Sequence, residues 1–134
     1  MTEIRVDQFL PHPPEAVWRA LTDPALIVKW WAAADGLVPV VGHRFELDMD
    51  RWGRQKCTVL EVDEPRVIAY TFGEGVIDTV LRWTIEAEGT GSRLFLEHSG
   101  FDPDSELGPV AFKGMGAGWP HVLPRIAAAI APAA

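Results

Sequence analysis

The sequence predicts an α+β domain in which a curved antiparallel sheet wraps a long C-terminal helix, with two short helices after the first strand. Three observations predict it. Phe112, Met115, Trp119, Val122, Leu123, Ile126 and Ile130 recur at steps of three and four, the one-sided stripe of a helix that lies against something. From residue 43 to 98, apolar and polar residues alternate in runs joined by short polar turns, which makes an antiparallel meander. Ahead of the meander stand one strand pattern and two short helical patterns that open at proline. A strongly twisted sheet with its helices on one face curves around them.

In chain order, Ile4, Val6 and Phe9–Leu10 alternate with Arg5, Asp7 and Gln8 as a strand, ended by His12-Pro13-Pro14. Pro14 suits the first turn of a helix, where its missing N–H costs nothing, and Val17, Trp18 and Leu21 form the buried face. Asp23 before Pro24 caps a second helix carrying Ile27, Val28, Trp30 and Trp31. Residues 33–42 read as an irregular connection around Gly36, Pro39 and Gly42. His43, Phe45, Leu47 and Met49 then face inward, and Arg44, Glu46, Asp48 and Asp50 outward. Arg51-Trp52-Gly53 turns the chain into a strand over Lys56–Val62, whose inward face the pattern leaves open. Asp63-Glu64-Pro65-Arg66 precedes a strand at Val67–Phe72, which ends in Gly73-Glu74-Gly75. Ile77, Thr79, Leu81, Trp83 and Ile85 share one face, and a hairpin at Glu88–Ser92 leads to Leu94, Leu96 and His98. That makes about five strands after the helices.

The closing helix opposes its own propensity. Relative to alanine, Gly114, Gly116 and Gly118 cost about 1 kcal/mol each and Pro120 and Pro124 about 3 each, roughly 9 together. A whole domain is stable by only about 5–15 kcal/mol. We therefore expect a helix bent or interrupted near Trp119–Pro124. Its small residues either keep space open beneath it or pack the backbone against the sheet. An Ala/Pro tail, Ala127–Ala134, ends the chain.

The 134 residues fit a single domain over 1–134, large enough for one real core. Six Trp and six Phe are rich for that length, so aromatics line a cavity or fill the core. Net charge is −7 without a basic patch, which argues against nucleic acid as a partner. One cysteine, Cys57, forbids an internal disulfide, and no signal peptide or membrane-spanning run is visible, so a cytoplasmic protein is expected.

Several stretches together resemble a known family. They are Val17-Trp18-Arg19-Ala20-Leu21-Thr22-Asp23-Pro24 with Ile27 and Trp30-Trp31, then Val41-Gly42, Asp63-Glu64-Pro65, Gly91-Ser92-Arg93-Leu94 leading to His98-Ser99-Gly100-Phe101, and Gly118-Trp119. The ordered set, spanning almost the whole chain, is similar to the SRPBCC (START-like) superfamily, in its branch named for the activator of the heat-shock-protein-ninety ATPase. The resemblance implies the helix-grip fold with a cavity between sheet and final helix. His43 stands where the branch often has a second glycine, Phe72 where it often has tryptophan, and Pro120 and Pro124 are unusual for its last helix.

The candidate ligand-binding residues are Trp31, His43, Phe45, Tyr70, Trp83, His98, Phe101, Met115 and Trp119. Trp30 joins the tryptophans and Phe101 as an aromatic lining or as core, and core is the commoner use of such residues. His43 and His98 face inward and orient a ligand, act in acid–base chemistry, or are satisfied core histidines; the last is favoured for both. The two histidines lack a third ligand, so no metal is expected, and no cofactor or catalytic motif is recognised. Asp7, Glu46 and Glu61 cannot be paired for acid–base work by spacing. The function expected first is binding of a small, mainly apolar molecule. Cyclase-, hydrolase- or isomerase-like catalysis in the same cavity, as the superfamily supports, and contact with a chaperone ATPase are the alternatives. Dimerisation through sheet edges or Trp52 stays open.

Overall fold

The computed structural model describes residues 3–130, the side chain of Arg51 apart; Met1, Thr2 and the last four residues of the Ala/Pro tail lie outside them. Among these residues the chain runs β1 (Ile4–Leu10), α1 (Pro14–Thr22), α2 (Pro24–Trp30), β2 (Ala33–Asp35), β3 (Arg44–Asp48), a 3-10 turn (Asp50–Trp52), β4 (Arg54–Asp63), β5 (Val67–Phe72), β6 (Thr79–Glu88), β7 (Gly91–Ser99), α3 (Gly108–Val122) and α4 (Arg125–Ile130). The strands form one curved antiparallel sheet in the order β1-β7-β6-β5-β4-β3-β2, open at both edges.

The meander follows the alternation. Tyr70 pairs with Leu81, Ile68 with Trp83, Trp83 with Leu96 and Leu81 with His98, so these side chains share the inward face. The open face of β4 resolves as Gln55, Cys57 and Val59, up to a register shift between Val59 and Glu61. The expected irregular stretch at 33–42 contains a short strand instead, because Ala33–Asp35 pairs along β3. Ile77 lies in the loop before β6.

Asp23 serves both short helices. Its N–H closes α1 on the Arg19 carbonyl at 2.8 Å, and its side chain accepts from the Ala25 N–H at 3.0 Å. The final helix is two helices. Pro124 has no N–H for the Pro120 carbonyl, and the chain turns at Leu123–Pro124 before α4 begins. The break lets α4 pack on α2 and α1 while α3 runs on its own line. Leu123 and Ile126, on either side of it, are fully buried, whereas within α3 only Gly108 and Trp119 are buried.

Candidate functional site: a cleft beneath α3

Where the helix stripe meets the sheet, the interior is filled by rings. Trp31 lies 5.1 Å from Trp119, centroid to centroid, Trp83 lies 5.6 Å from Trp119, and Trp30 lies 5.7 Å from Trp83. The indole N–H groups of Trp30, Trp83 and Trp119 are spent inside the protein. Trp30 Nε1 donates to the Ala20 carbonyl at 2.9 Å and Trp83 Nε1 to the Tyr70 hydroxyl at 3.0 Å. Burial pushes the Tyr70 phenol far above its ordinary range.

His98 sits at the centre of a directed chain. Trp119 Nε1 donates to His98 Nδ1 at 3.1 Å, and His98 Nε2 meets Thr79 Oγ1 at 2.9 Å. Thr79 Oγ1 in turn donates to the Phe72 carbonyl at 2.9 Å. An indole N–H can only donate, so Nδ1 is the acceptor and Nε2 carries the proton. Burial pulls the imidazole pKa down to about 3. This histidine is a satisfied core group that ties α3 to β6 and β7.

Open space lies further along α3, toward its N-terminus. A cleft of about 440 Å³ is walled by Met49 and Trp52 after β3, Gln55 at the start of β4, Phe72 at the end of β5, Val76 and Ile77 before β6, and Leu107, Val110, Ala111, Gly114 and Met115 on and before α3. Trp52 is 63% exposed, Val110 59%, Val76 53% and Leu107 46%, so large apolar side chains cluster at its mouth. Both loops on the sheet side hold an aspartate in the left-handed region, Asp50 at φ 53° and Asp78 at φ 47°. Aspartate tolerates this conformation better than most residues, and the Asp78 side chain accepts from the Gly75 N–H at 2.7 Å.

Of the sequence-predicted residues, Met115 lines the cleft. Phe72, singled out only as a departure from the family pattern, lines it too. Trp31, Trp83, Trp119, Tyr70, His98 and Phe101 form the aromatic interior beside it, Trp31 only half-buried. Phe45 stacks edge-on against Tyr70 at 5.1 Å. His43 does not enter the interior: it stands just before β3, half-buried, and its Nε2 bonds the Gly36 carbonyl. The two histidines therefore do not share one site. As cleft residues, Trp52, Gln55, Val76, Val110 and Ala111 escaped the sequence reading: Trp52 and Val76 lie in turns, Gln55 stands at the start of β4, and Val110 and Ala111 fall off the apolar stripe of α3.

A second depression, of about 380 Å³, lies over β3 and β4 among Asp35, Arg44, Phe45, Glu46, Lys56, Cys57 and Glu74. Its charges are mixed and its carboxylates are engaged: neighbouring Arg54 bonds both Asp35 and Glu46, and Glu74 accepts from Thr58 and Thr71 at 2.6 Å each. Burial pushes the Cys57 thiol up to about 12, so it offers no thiolate at neutral pH. No cluster of metal-ligating side chains occurs among the described residues. No helix among them is long and apolar enough to cross a membrane.

The whole architecture recurs in solved structures. The protein MLL2253 from Mesorhizobium loti superposes with a TM-score of 0.84 at 34% sequence identity, over 96% of each chain. The protein BH1534 from Bacillus halodurans gives 0.82 at 23% identity, also over 96% of each chain. The Aha1 dimer from Colwellia psychrerythraea gives 0.81 at 18% identity, over 97% of this chain and 96% of that one. No curated protein matches the sequence significantly. A family model, "Activator of Hsp90 ATPase homolog 1-like protein", matches residues 11–131. With its helix-grip sheet and this match over nearly all its length, the chain belongs to the Activator of Hsp90 ATPase homolog 1-like family.

Proposed function

We propose that this single domain is a pocket protein that holds a small, mainly apolar molecule in the cleft beneath α3. The observation that carries the reading is the cleft itself. Its volume lies in the range of small-molecule sites, and four exposed large apolar side chains converge on its mouth. Such residues scattered singly need no explanation, but gathered on one opening they favour an occupant. In this reading Met115 and Phe72 touch the ligand directly. Trp31, Trp83, Trp119, Phe101, Tyr70 and His98 form the rigid wall behind. The lone, buried Cys57 suits a reducing compartment, the cytoplasm.

The test pairs native mass spectrometry of gently purified protein with a plugged variant. Ala111→Trp, on the α3 wall, fills the cleft. We expect a neutral naphthalene-type probe to bind the wild type and to lose at least about tenfold in affinity in the variant. Equal affinity in both, with no retained molecule, would sink the reading.

A second copy of the chain is the other occupant that an observation favours. The same apolar rim would be covered in a homodimer, and the Colwellia relative is a dimer. Sedimentation of wild type against Val110→Glu separates the two occupants. A chaperone ATPase as partner rests on the family's name alone. Neither histidine stands beside a carboxylate in the cleft, so the geometry supplies no acid–base pair for catalysis there.

A further inference from the structure

We infer that Gln55 sets the chemistry of the ligand: the cleft takes a neutral, mainly apolar molecule carrying a hydrogen-bond donor, a hydroxyl or an N–H, for the Gln55 amide oxygen. The inference rests on the cleft's being a ligand site, as proposed above.

Gln55 lines the cleft yet is only 8% exposed. Its amide orientation is settled by one bond. Nε2 donates to the Trp52 carbonyl at 3.0 Å, and turning the amide over would set two acceptors face to face. That leaves Oε1 buried without a partner among the described residues. Such acceptors are rare in folded proteins. A methionine of similar length would close this wall without the polar atom, as Met49 and Met115 do elsewhere in the cleft. The oxygen lies beside Gly73, where an added Cβ would come within 3.2 Å of it. The same Cβ would lie 2.7 Å from Ile77 Cγ1, so this spot is closely packed and only glycine's lack of a side chain lets the oxygen sit there. Glutamine's terminal torsion is broad, so a small turn presents the oxygen to a donor in the cleft.

The rest of the wall decides the charge. Among the described residues, none that lines the cleft is ionisable, and Gln55 carries its one polar side chain apart from the Trp52 indole. A carboxylate would give up its hydration and meet another oxygen. An ammonium would find one acceptor and no counter-charge. A hydroxyl or amide N–H costs far less to desolvate and is matched by the single acceptor.

Titration calorimetry with three shape-related probes tests this. They are 1-naphthol, 1-methylnaphthalene, which puts a methyl in place of the hydroxyl, and 1-naphthoate, each against wild type and Gln55→Met. We expect the naphthol-to-methylnaphthalene affinity ratio to fall about tenfold in Gln55→Met, with methylnaphthalene binding retained, and naphthoate to bind neither protein. An unchanged ratio overturns the role of Gln55 and leaves the cleft reading standing. Failure of both neutral probes to bind the wild type overturns the cleft reading, and this inference with it. Should the variant not fold, the wild type alone decides: naphthoate binding as tightly as naphthol refutes the inference.

Discussion

Trp119 can present only a donor to His98, and this one bond gives the imidazole a pH signature. Protonating Nδ1 would set two N–H groups against each other, so the folded state resists a second proton on the ring beyond what burial already costs. The ring's other neighbours, Thr79, Phe72 and Phe101, carry no charge to offset this. In the unfolded chain the same histidine titrates near 6.5, whereas in the fold it titrates at about 3. Between those values the unfolded state binds a proton that the folded state refuses. The stabilisation is therefore complete above about pH 6.5 and is lost as pH falls, by up to about 1.4 kcal/mol per pH unit, levelling off near 3. Urea unfolding of the wild type at about pH 7.5 and about pH 5 should differ by roughly 2 kcal/mol from this group. His98→Gln, which cannot titrate, should lose that part of the slope. A wild-type stability that is flat over the window would refute the neutral, locked ring.

At the scale of elements, α3 is a weak helix held at one end. Its glycines have two explanations, tight packing or open space, and the geometry separates them. A Cβ added at Gly114 or Gly118 would meet nothing within 4 Å, and one at Gly116 would make only ordinary contact with Ile4 at 3.8 Å. Backbone packing against the sheet therefore requires none of the three. The contrast is Gly108 at the start of the helix, where a Cβ would lie 2.6 Å from Ser105 Oγ and nearer still to the Asp102 carbonyl. Gly118→Ala should accordingly raise stability by about 0.5–1 kcal/mol through helix propensity, while Gly108→Ala should lower it. Gly114 differs from Gly118 in lining the cleft. Gly114→Ala should gain similar stability yet weaken binding of a naphthalene-type probe. Thermal unfolding and probe titration on the three variants check both halves. A loss of stability in Gly118→Ala would mean that the helix needs its glycines for packing after all.

For the molecule as a whole, alternation and stripe carry the sheet's inward face and the break in the closing helix. Leu81, Trp83 and Ile85, or Leu94 and Leu96, can bury only one way, and Pro124 cannot continue a helix without loss. Two things are not local enough to read. Ala33-Ala34-Asp35 has little strand propensity and becomes β2 only because Ala34 pairs with Leu47. The cleft is assembled from three separate stretches, 49–55, 72–77 and 107–115, two of which turn where no periodicity speaks. Periodicity also identifies which rings face inward, but not whether they meet. Trp31, Trp83 and Trp119 do meet, and the space moves toward the N-terminal half of α3. The outcome is a molecule of two unequal halves. On one side, α1 packs on β6 and β7 and joins α2 and α4, with Leu81, Leu94, Leu123 and Ile126 fully buried. On the other, α3 buries little before Trp119 and meets the sheet chiefly through β1. Local opening free energy tracks buried apolar contact, so amide hydrogen exchange should rank the N-terminal turns of α3 well below β6 and β7. The Trp119–His98 bond marks where protection rises along the helix. An apolar ligand that fills the cleft should slow exchange in 108–115 and in the 73–78 loop, and leave β6 unchanged. If the first turns of the free protein's α3 exchange as slowly as β6, the cleft is not the loosely packed half of the fold, and the site needs another location.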